Sequence, residues 1–287
     1  MTPRRRRPDE DPVAANRALW DARTPVHARS AYYDVDGFRA GASSLHDLEV
    51  CEVLAAASGS LEGKRLLHLQ CHFGLDTLSW ARHHGAIATG VDFSPVAIAT
   101  ASRLATECGL ADVARFVEAD VRALDLGEPF DVVFVSYGAI CWLPDLTVWG
   151  QVVARHLSPG GFAYVAEIHP ASMALQDEPG TAELVIGYPY WTPAEPLRFE
   201  EEGTYADVDA PIKLPEYVWM HGVGDVVNAL IEAGLTLEYL REHAFTVYPQ
   251  FPFLEEEPGS GARIWRLPEE MPVFPLLLSL VARAGAP

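Results

Sequence analysis

Basic side chains are scarce: 21 Lys and Arg stand against 40 Asp and Glu in 287 residues, a formal net charge of −19. Nucleic-acid binding rests on Lys and Arg neutralising phosphates, so that balance argues against nucleic acid as a partner, and against an anionic membrane surface for the same reason. No apolar run approaches the roughly 20 residues that span a bilayer; the longest, 273–282, is interrupted by Pro275. The N-terminal MTPRRRRPDED has no apolar segment behind it and does not read as a secretory signal. Only four cysteines occur (Cys51, Cys71, Cys108, Cys141), with no CxxC pair, which excludes a disulfide framework or a cysteine zinc module and fits a reduced, cytoplasmic setting. No 20–50-residue repeat is present.

What is present is a globular composition, 49% hydrophobic. The acidity is uneven. Residues 1–166 hold 15 basic and 20 acidic side chains, net −5, whereas 167–287 hold 6 and 20, net −14. Residues 1–12, with the Arg4–Arg7 run, read as a disordered tail, and 13–287 as a single domain.

A helix is predicted over 45–57, then strands and helices alternate: strand 65–69, helix 75–84 stopped by Gly85, strand 86–91, helix 95–108 capped by Ser94 and Pro95, strand 114–117, strand 130–136, helix 145–157, a Ser158-Pro-Gly-Gly161 turn, and strand 162–168. Apolar strands alternating with helices imply a covered parallel sheet. The pattern breaks at His169; residues 169–220, rich in Pro, Tyr, Trp and Glu, read as a cap insertion. A helix (223–233), a strand (235–241), a loop (244–272) and a last strand (273–284) follow, the two late strands suggesting an antiparallel hairpin at a sheet edge.

In such sheets ligands sit at the carboxyl ends of the strands. The first strand runs into His68-Leu-Gln-Cys-His-Phe-Gly74, whose glycine permits close backbone approach, and a helix N-terminus follows. Asp92 ends the second strand, where a carboxylate accepts from both ribose hydroxyls; Asp120 follows the third, placed for an adenine amine between Phe93 and Val121.

That ordered set resembles the class I S-adenosylmethionine-dependent methyltransferases over roughly residues 45–285. The string LLHLQCHFGLDTLSWAR, with GVDFS, WLPDL and EIHP downstream, resembles a bacterial small-molecule subfamily with a variant first motif, LHLQCHFG: His68, Gln70 and His72 replace the usual acidic residue and two of the three glycines, and Gly74 remains. The resemblance implies an α/β, Rossmann-like, doubly wound seven-stranded sheet, mostly parallel with an antiparallel late hairpin. It implies S-adenosylmethionine as cofactor, its methionine part on 68–74 with contacts from Gln70 and His72, its ribose on Asp92 and its adenine on Asp120. Ser136 and Tyr137 would flank the reactive centre. Within the N-terminal lid (13–44), Tyr33 is a candidate to close over the cofactor.

Candidate general bases are Glu167 and His169, on one side of an extended chain, and His221; hydrogen bonds anchoring the insertion are the competing role for Glu167 and His169. Tyr188, Tyr190, Trp191, Tyr205 and Trp219 are candidates to line an apolar substrate pocket. The expected reaction is methyl transfer to a C, N or O nucleophile of a small molecule, a secondary metabolite. The alternatives are metal-assisted C-methylation of an isoprenyl diphosphate, with Glu167 near the metal, and a non-catalytic S-adenosylmethionine-binding protein. A nicotinamide oxidoreductase would need G-x-G-x-x-G, which Gln70-x-His72-x-Gly74 does not supply. Two metal sets are considered: His68/Cys71/His72 does not have a known zinc spacing, and Glu167/His169/His221 could hold a hard divalent ion, although acid/base work or a structural role is the preferred reading; no metal is expected. The sequence leaves a homodimer open.

Overall fold

Strands buried on both faces need helices above and below them, and the chain supplies both layers. The computed structural model describes residues 9–192, 195–257 and 263–286. Three helices come first: α1 (Pro12–His27), α2 (Val35–Arg39) and α3 (Asp47–Ala56). The alternating region contains β1 (Arg65–Leu69), α4 (Leu75–His84), β2 (Ile87–Asp92), α5 (Pro95–Glu107), β3 (Ala114–Glu118), β4 (Phe130–Ser136), α6 (Leu146–His156) and β5 (Leu157–Ile168). The remainder contains α7 (Pro170–Met173), β6 (Leu197–Glu202), β7 (Lys213–Val218), α8 (Val223–Glu232), β8 (Thr236–His243), β9 (Glu255–Glu256), β10 (Trp265–Arg266) and β11 (Leu277–Arg283).

Seven strands form one sheet in the order β3-β2-β1-β4-β5-β11-β8. The first five are parallel, and β11 runs antiparallel to both β5 and β8. This is the expected Rossmann-like sheet with its reversed late strand. The side-chain alternation of β1 splits the core. Leu67 and Leu69 join Trp149 of α6 and Leu230 of α8 on one face, while Leu66 joins Val53 of α3 and Trp80 of α4 on the other. The chain winds outward to β3, then returns to β4 beside β1, so the switch point lies between β1 and β4. Among the described residues no helix is long and apolar enough to cross a membrane.

Four sequence expectations need correction. The tail expected over 1–12 gives way at Asp11, whose carboxylate caps α1 by accepting from the Val13 and Ala14 N–H groups; residues 1–8 lie outside the described residues. The 16-residue α1 itself has no strong apolar stripe and was not predicted as a helix. The 158–161 turn is an outward bulge inside β5, between the pairs Phe130↔Leu157 and Val132↔Phe162, with Gly160 at φ +77°. The 169–220 insertion is not wholly irregular: it carries α7 and the antiparallel pair β6–β7, and the 244–272 loop carries the short pair β9–β10.

Candidate active site

A cavity of about 1560 Å³ opens at the carboxyl ends of the parallel strands. A single drug-sized ligand needs roughly 300–1,000 Å³, so there is room for two small molecules side by side. Its floor comes from the turns after β1, β2, β3 and β4; its roof comes from α1 (Trp20, Arg23), the segment before α2 (Tyr32, Tyr33) and the insertion (Tyr188, Phe199, Tyr205).

The turn after β1 is tightly wound. Gln70, His72 and Gly74 all have positive φ, at +55°, +51° and +80°, a region that costs a non-glycine residue energy and clusters at functional sites. Gly74 cannot be larger, because a Cβ there would lie 2.4 Å from the Phe116 ring. The Gln70 amide donates through Nε2 to the Ala139 carbonyl at 2.7 Å, tying this turn to the loop after β4. Its Oε1 is buried and has no hydrogen-bond partner, in a residue that lines the cavity. His72 Nε2 lies 3.1 Å from His27 Nδ1 of α1. Burial, then the Arg23 charge, lowers His27 to about 3, so it stays neutral.

Asp92 is 8% exposed and lines the cavity. Its Oδ2 accepts from the His72 N–H and its Oδ1 from the Ser94 N–H, both at 2.9 Å. Each oxygen keeps a lone pair for another donor. Burial raises its carboxyl to about 6, against those hydrogen bonds. Phe93 and Val121 line the same stretch of cavity. Asp120 lines it too, but its carboxylate is already occupied. It accepts from the Arg122 backbone N–H at 2.9 Å and from Arg122 Nε and Nη2 at 3.0 and 2.5 Å. A bond to an adenine amine would compete with that fork.

Ser136 and Tyr137 sit at the end of β4, where expected. Ser136 Oγ lies 3.1 Å from Asp76 Oδ2 and 3.3 Å from His68 Nε2. Tyr137, at φ +37°, donates its hydroxyl to buried Glu49. Burial and then the Asp76 charge raise Glu49 to about 8. The Tyr33 ring packs against His27 (centroids 5.3 Å) and Phe73 (4.8 Å), and its hydroxyl pairs with that of Tyr205.

The three expected catalytic side chains do not line the cavity. Glu167 faces the α6 side of the sheet, and four backbone donors use its oxygens: Gly138 and Ile168 at Oε1, Ala139 and Ile140 at Oε2. Such a carboxylate anchors a loop; it has no direction left for a substrate proton. His169 is buried at 3% exposure, with Nε2 on Glu242 at 2.8 Å and Nδ1 accepting from the Ala171 N–H. His221 Nε2 bonds the Leu143 carbonyl at 2.7 Å. Anchoring, the competing role, describes Glu167 and His169. Of the cap aromatics, Tyr188 and Tyr205 line the cavity, whereas Tyr190, Trp191 and Trp219 do not. Among the described residues no three His, Cys, Asp or Glu side chains are grouped to hold a metal.

Sequence reasoning missed Trp20 and Arg23, because α1 was not foreseen, and Asp76, Ser44 and Glu49, which the fold gathers from separate segments. The one local signal for Asp76 was an acid two residues after Gly74, in the first turn of α4.

Residues 66–161, from β1 into β5, match the family described as a methyltransferase domain. The Escherichia coli (strain K12) uncharacterized protein YjhP is 31% identical over 105 residues, 37% of this chain and 42% of that protein. Methyltransferase phqN of Penicillium fellutanum is 31% identical over 100 residues, 34% of this chain and 30% of that protein. The matched region thus spans less than half the length of either curated relative. Among solved structures, an S-adenosylmethionine-dependent methyltransferase from Mesorhizobium loti superposes with a TM-score of 0.54 at 24% identity, covering 85% of this chain and 99% of that one. Residues 66–161 thus resemble a methyltransferase domain, and the chain shares the Rossmann-like fold of that solved methyltransferase.

Proposed function

We propose that the protein transfers the methyl group of S-adenosylmethionine to a small-molecule nucleophile. The observation that carries this reading is the strained 70–74 turn clasping Asp92 at the switch point, inside the matched domain. The residues suit the cofactor. Asp92 has lone pairs free for ribose hydroxyls, Gln70 Oε1 is a buried acceptor without a partner, and Gly74 leaves room where a side chain would clash. When bound, S-adenosylmethionine supplies an electrophilic methyl group on a sulfonium.

The chain's own work is alignment and exclusion of water. Phe93 and Val121 offer apolar walls to a flat base. Trp20, Tyr33 and Tyr205 roof the cavity and limit solvent, which supports a lid role for the N-terminal segment. With Glu167 engaged by four N–H groups, the reaction runs without that base, which suits an acceptor that attacks through its own lone pair.

The cavity also bears on the substrate. Asp34, Asp47, Asp177, Glu178, Glu202 and Glu216 line it, against Arg23, Arg122 and Arg263. Two of those cations are committed, Arg23 to Glu216 and Arg122 to Asp120. The surplus of acid favours a neutral or cationic acceptor of secondary-metabolite size. An isoprenyl diphosphate would need a metal at Glu167, and the saturation of Glu167 weighs against it.

Calorimetry with S-adenosylhomocysteine tests the reading, together with label transfer from S-adenosylmethionine to a panel of amines and phenols. Folded protein that does not bind S-adenosylhomocysteine at high micromolar concentration overturns it. Binding without transfer to any acceptor favours a non-catalytic role instead.

A further inference from the structure

We infer that Asp76 receives the α-ammonium of the cofactor's methionine portion, with Gln70 Oε1 as a second acceptor on the same turn. This rests on the methyltransferase reading and adds to it a residue outside the first motif.

Asp76 is in the first turn of α4 and lines the cavity floor. Ser44 Oγ donates to its Oδ1 at 2.7 Å and Ser136 Oγ to its Oδ2 at 3.1 Å. The neighbouring bonds point the same way. Thr77 Oγ1 lies 2.9 Å from His68 Nδ1, and His68 Nε2 lies 3.3 Å from Ser136 Oγ. If Ser136 gives its proton to Asp76, His68 donates from Nε2 to Ser136 and accepts at Nδ1 from Thr77, a single consistent tautomer. Every donor in the chain is directed toward the carboxylate, and the N-terminal end of α4 favours its negative charge.

What this carboxylate lacks is a cation. Among the described residues no ion pair includes Asp76, although it is set into the cavity wall beside buried Glu49. Burial raises its carboxyl, and only the two serine hydroxyls oppose the shift. A charge held this way calls for a ligand cation.

The ammonium suits that role and the sulfonium does not. The sulfonium loses its charge during transfer, so a carboxylate beside it would stabilise the starting state over the transition state. The ammonium keeps its charge throughout, and its three N–H groups can use directed acceptors such as Asp76 and Gln70 Oε1. The sheet order agrees. Asp120, Asp92, the 70–74 turn and Ser136 follow β3, β2, β1 and β4, neighbouring strands at about 4.8 Å spacing, roughly 14 Å from end to end. An extended nucleoside with its adenine at the β3 end would direct its amino-acid tail to Ser136 and Asp76.

Binding calorimetry on the full chain and on Asp76→Asn tests this with three ligands: S-adenosylhomocysteine, the same thioether without its amino group, and 5′-methylthioadenosine, which lacks the whole amino-acid tail. Asp76→Asn is expected to weaken S-adenosylhomocysteine about 10- to 100-fold, the range of a charge-assisted bond, and 5′-methylthioadenosine less than about twofold. The deaminated thioether should bind wild type as weakly as S-adenosylhomocysteine binds the variant, with little further loss when both changes are combined. Equal losses for S-adenosylhomocysteine and 5′-methylthioadenosine, or no loss for either, overturn the assignment. If Asp76→Asn binds no 5′-methylthioadenosine because it misfolds, wild type decides: a deaminated ligand as tight as S-adenosylhomocysteine refutes the role. Wild type that binds none of the three refutes the methyltransferase reading itself.

Discussion

Replacing Glu167 with glutamine separates an anchor from a catalytic base. Two N–H groups converge on each carboxylate oxygen: Gly138 and Ile168 on Oε1, and Ala139 and Ile140, at 2.9 Å each, on Oε2. A glutamine amide has one oxygen and one NH2. Whichever way it turns, two backbone donors lose their acceptor and face another donor in a buried setting. A bond to a charged acceptor contributes about 1.5–3 kcal/mol, so the substitution should cost about 3–6 kcal/mol before the loop relaxes. That is a large fraction of the 5–15 kcal/mol typical of a whole protein. At about 2–4 °C per kcal/mol for chains of this order, Tm should drop by roughly 6–24 °C. The same loop accepts Gln70 Nε2 at the Ala139 carbonyl and Trp142 Nε1 at the Gly138 carbonyl, so S-adenosylhomocysteine affinity should fall with stability. Thermal and urea unfolding, with calorimetry on the same samples, measure both. A variant within about 2 °C of wild type, with unchanged affinity but no turnover, would refute the anchor argument and restore Glu167 as a base.

Asp92 is raised to about 6, and in the proposed role it would accept ribose hydroxyls best when ionised; S-adenosylhomocysteine affinity should therefore plateau above about pH 7 and fall about tenfold per unit below 6, and a flat profile from pH 5 to 8 contradicts this. Glu49 rises from an ordinary 4.5 to about 8, chiefly through burial. An acid raised in the fold contributes stability that is full below its unfolded value and is lost as pH climbs through the folded one, so wild-type Tm should decline between pH 4.5 and 8 more than that of Glu49→Gln. Parallel Tm curves would disprove it. Gly74→Ala places a Cβ against Phe116 at a positive φ, and should cost about 1–3 kcal/mol and weaken S-adenosylhomocysteine binding at least tenfold; unchanged unfolding and binding would show that the turn adapts.

The alternating half of the chain was readable because its signals are local. Gly85 stops α4, Ser94 and Pro95 open α5, and β1 and β4 were placed to the residue. α1 escaped because three of its four buried side chains, Asn16, Thr24 and His27, are polar, so its stability comes from tertiary hydrogen bonds that leave no apolar periodicity. Glu167 was correctly located at the end of β5, but which side of the sheet it faces, and that four N–H groups await it, follow from strand register and the path of 138–140. The first-turn acid Asp76 was visible as a residue, yet its isolation from any cation emerges only when Ser44 and Ser136, 32 and 60 positions away, close around it.

The helix that escaped sequence reasoning also couples the two halves of the molecule. Asn16 exchanges both of its amide bonds with the Tyr217 backbone in β7, at 2.7 and 2.8 Å. One turn later Asp21 accepts from Ser94 Oγ, behind Asp92, and at the far end His27 meets both His72 of the first turn and Thr204 of the insertion. α1 is about 24 Å long and riveted at each stage to one half or the other. One helix therefore fixes the distance between the floor of the cavity, at the turn after β1, and its roof, at the insertion, so a substitution that loosens α1 should disturb both walls at once.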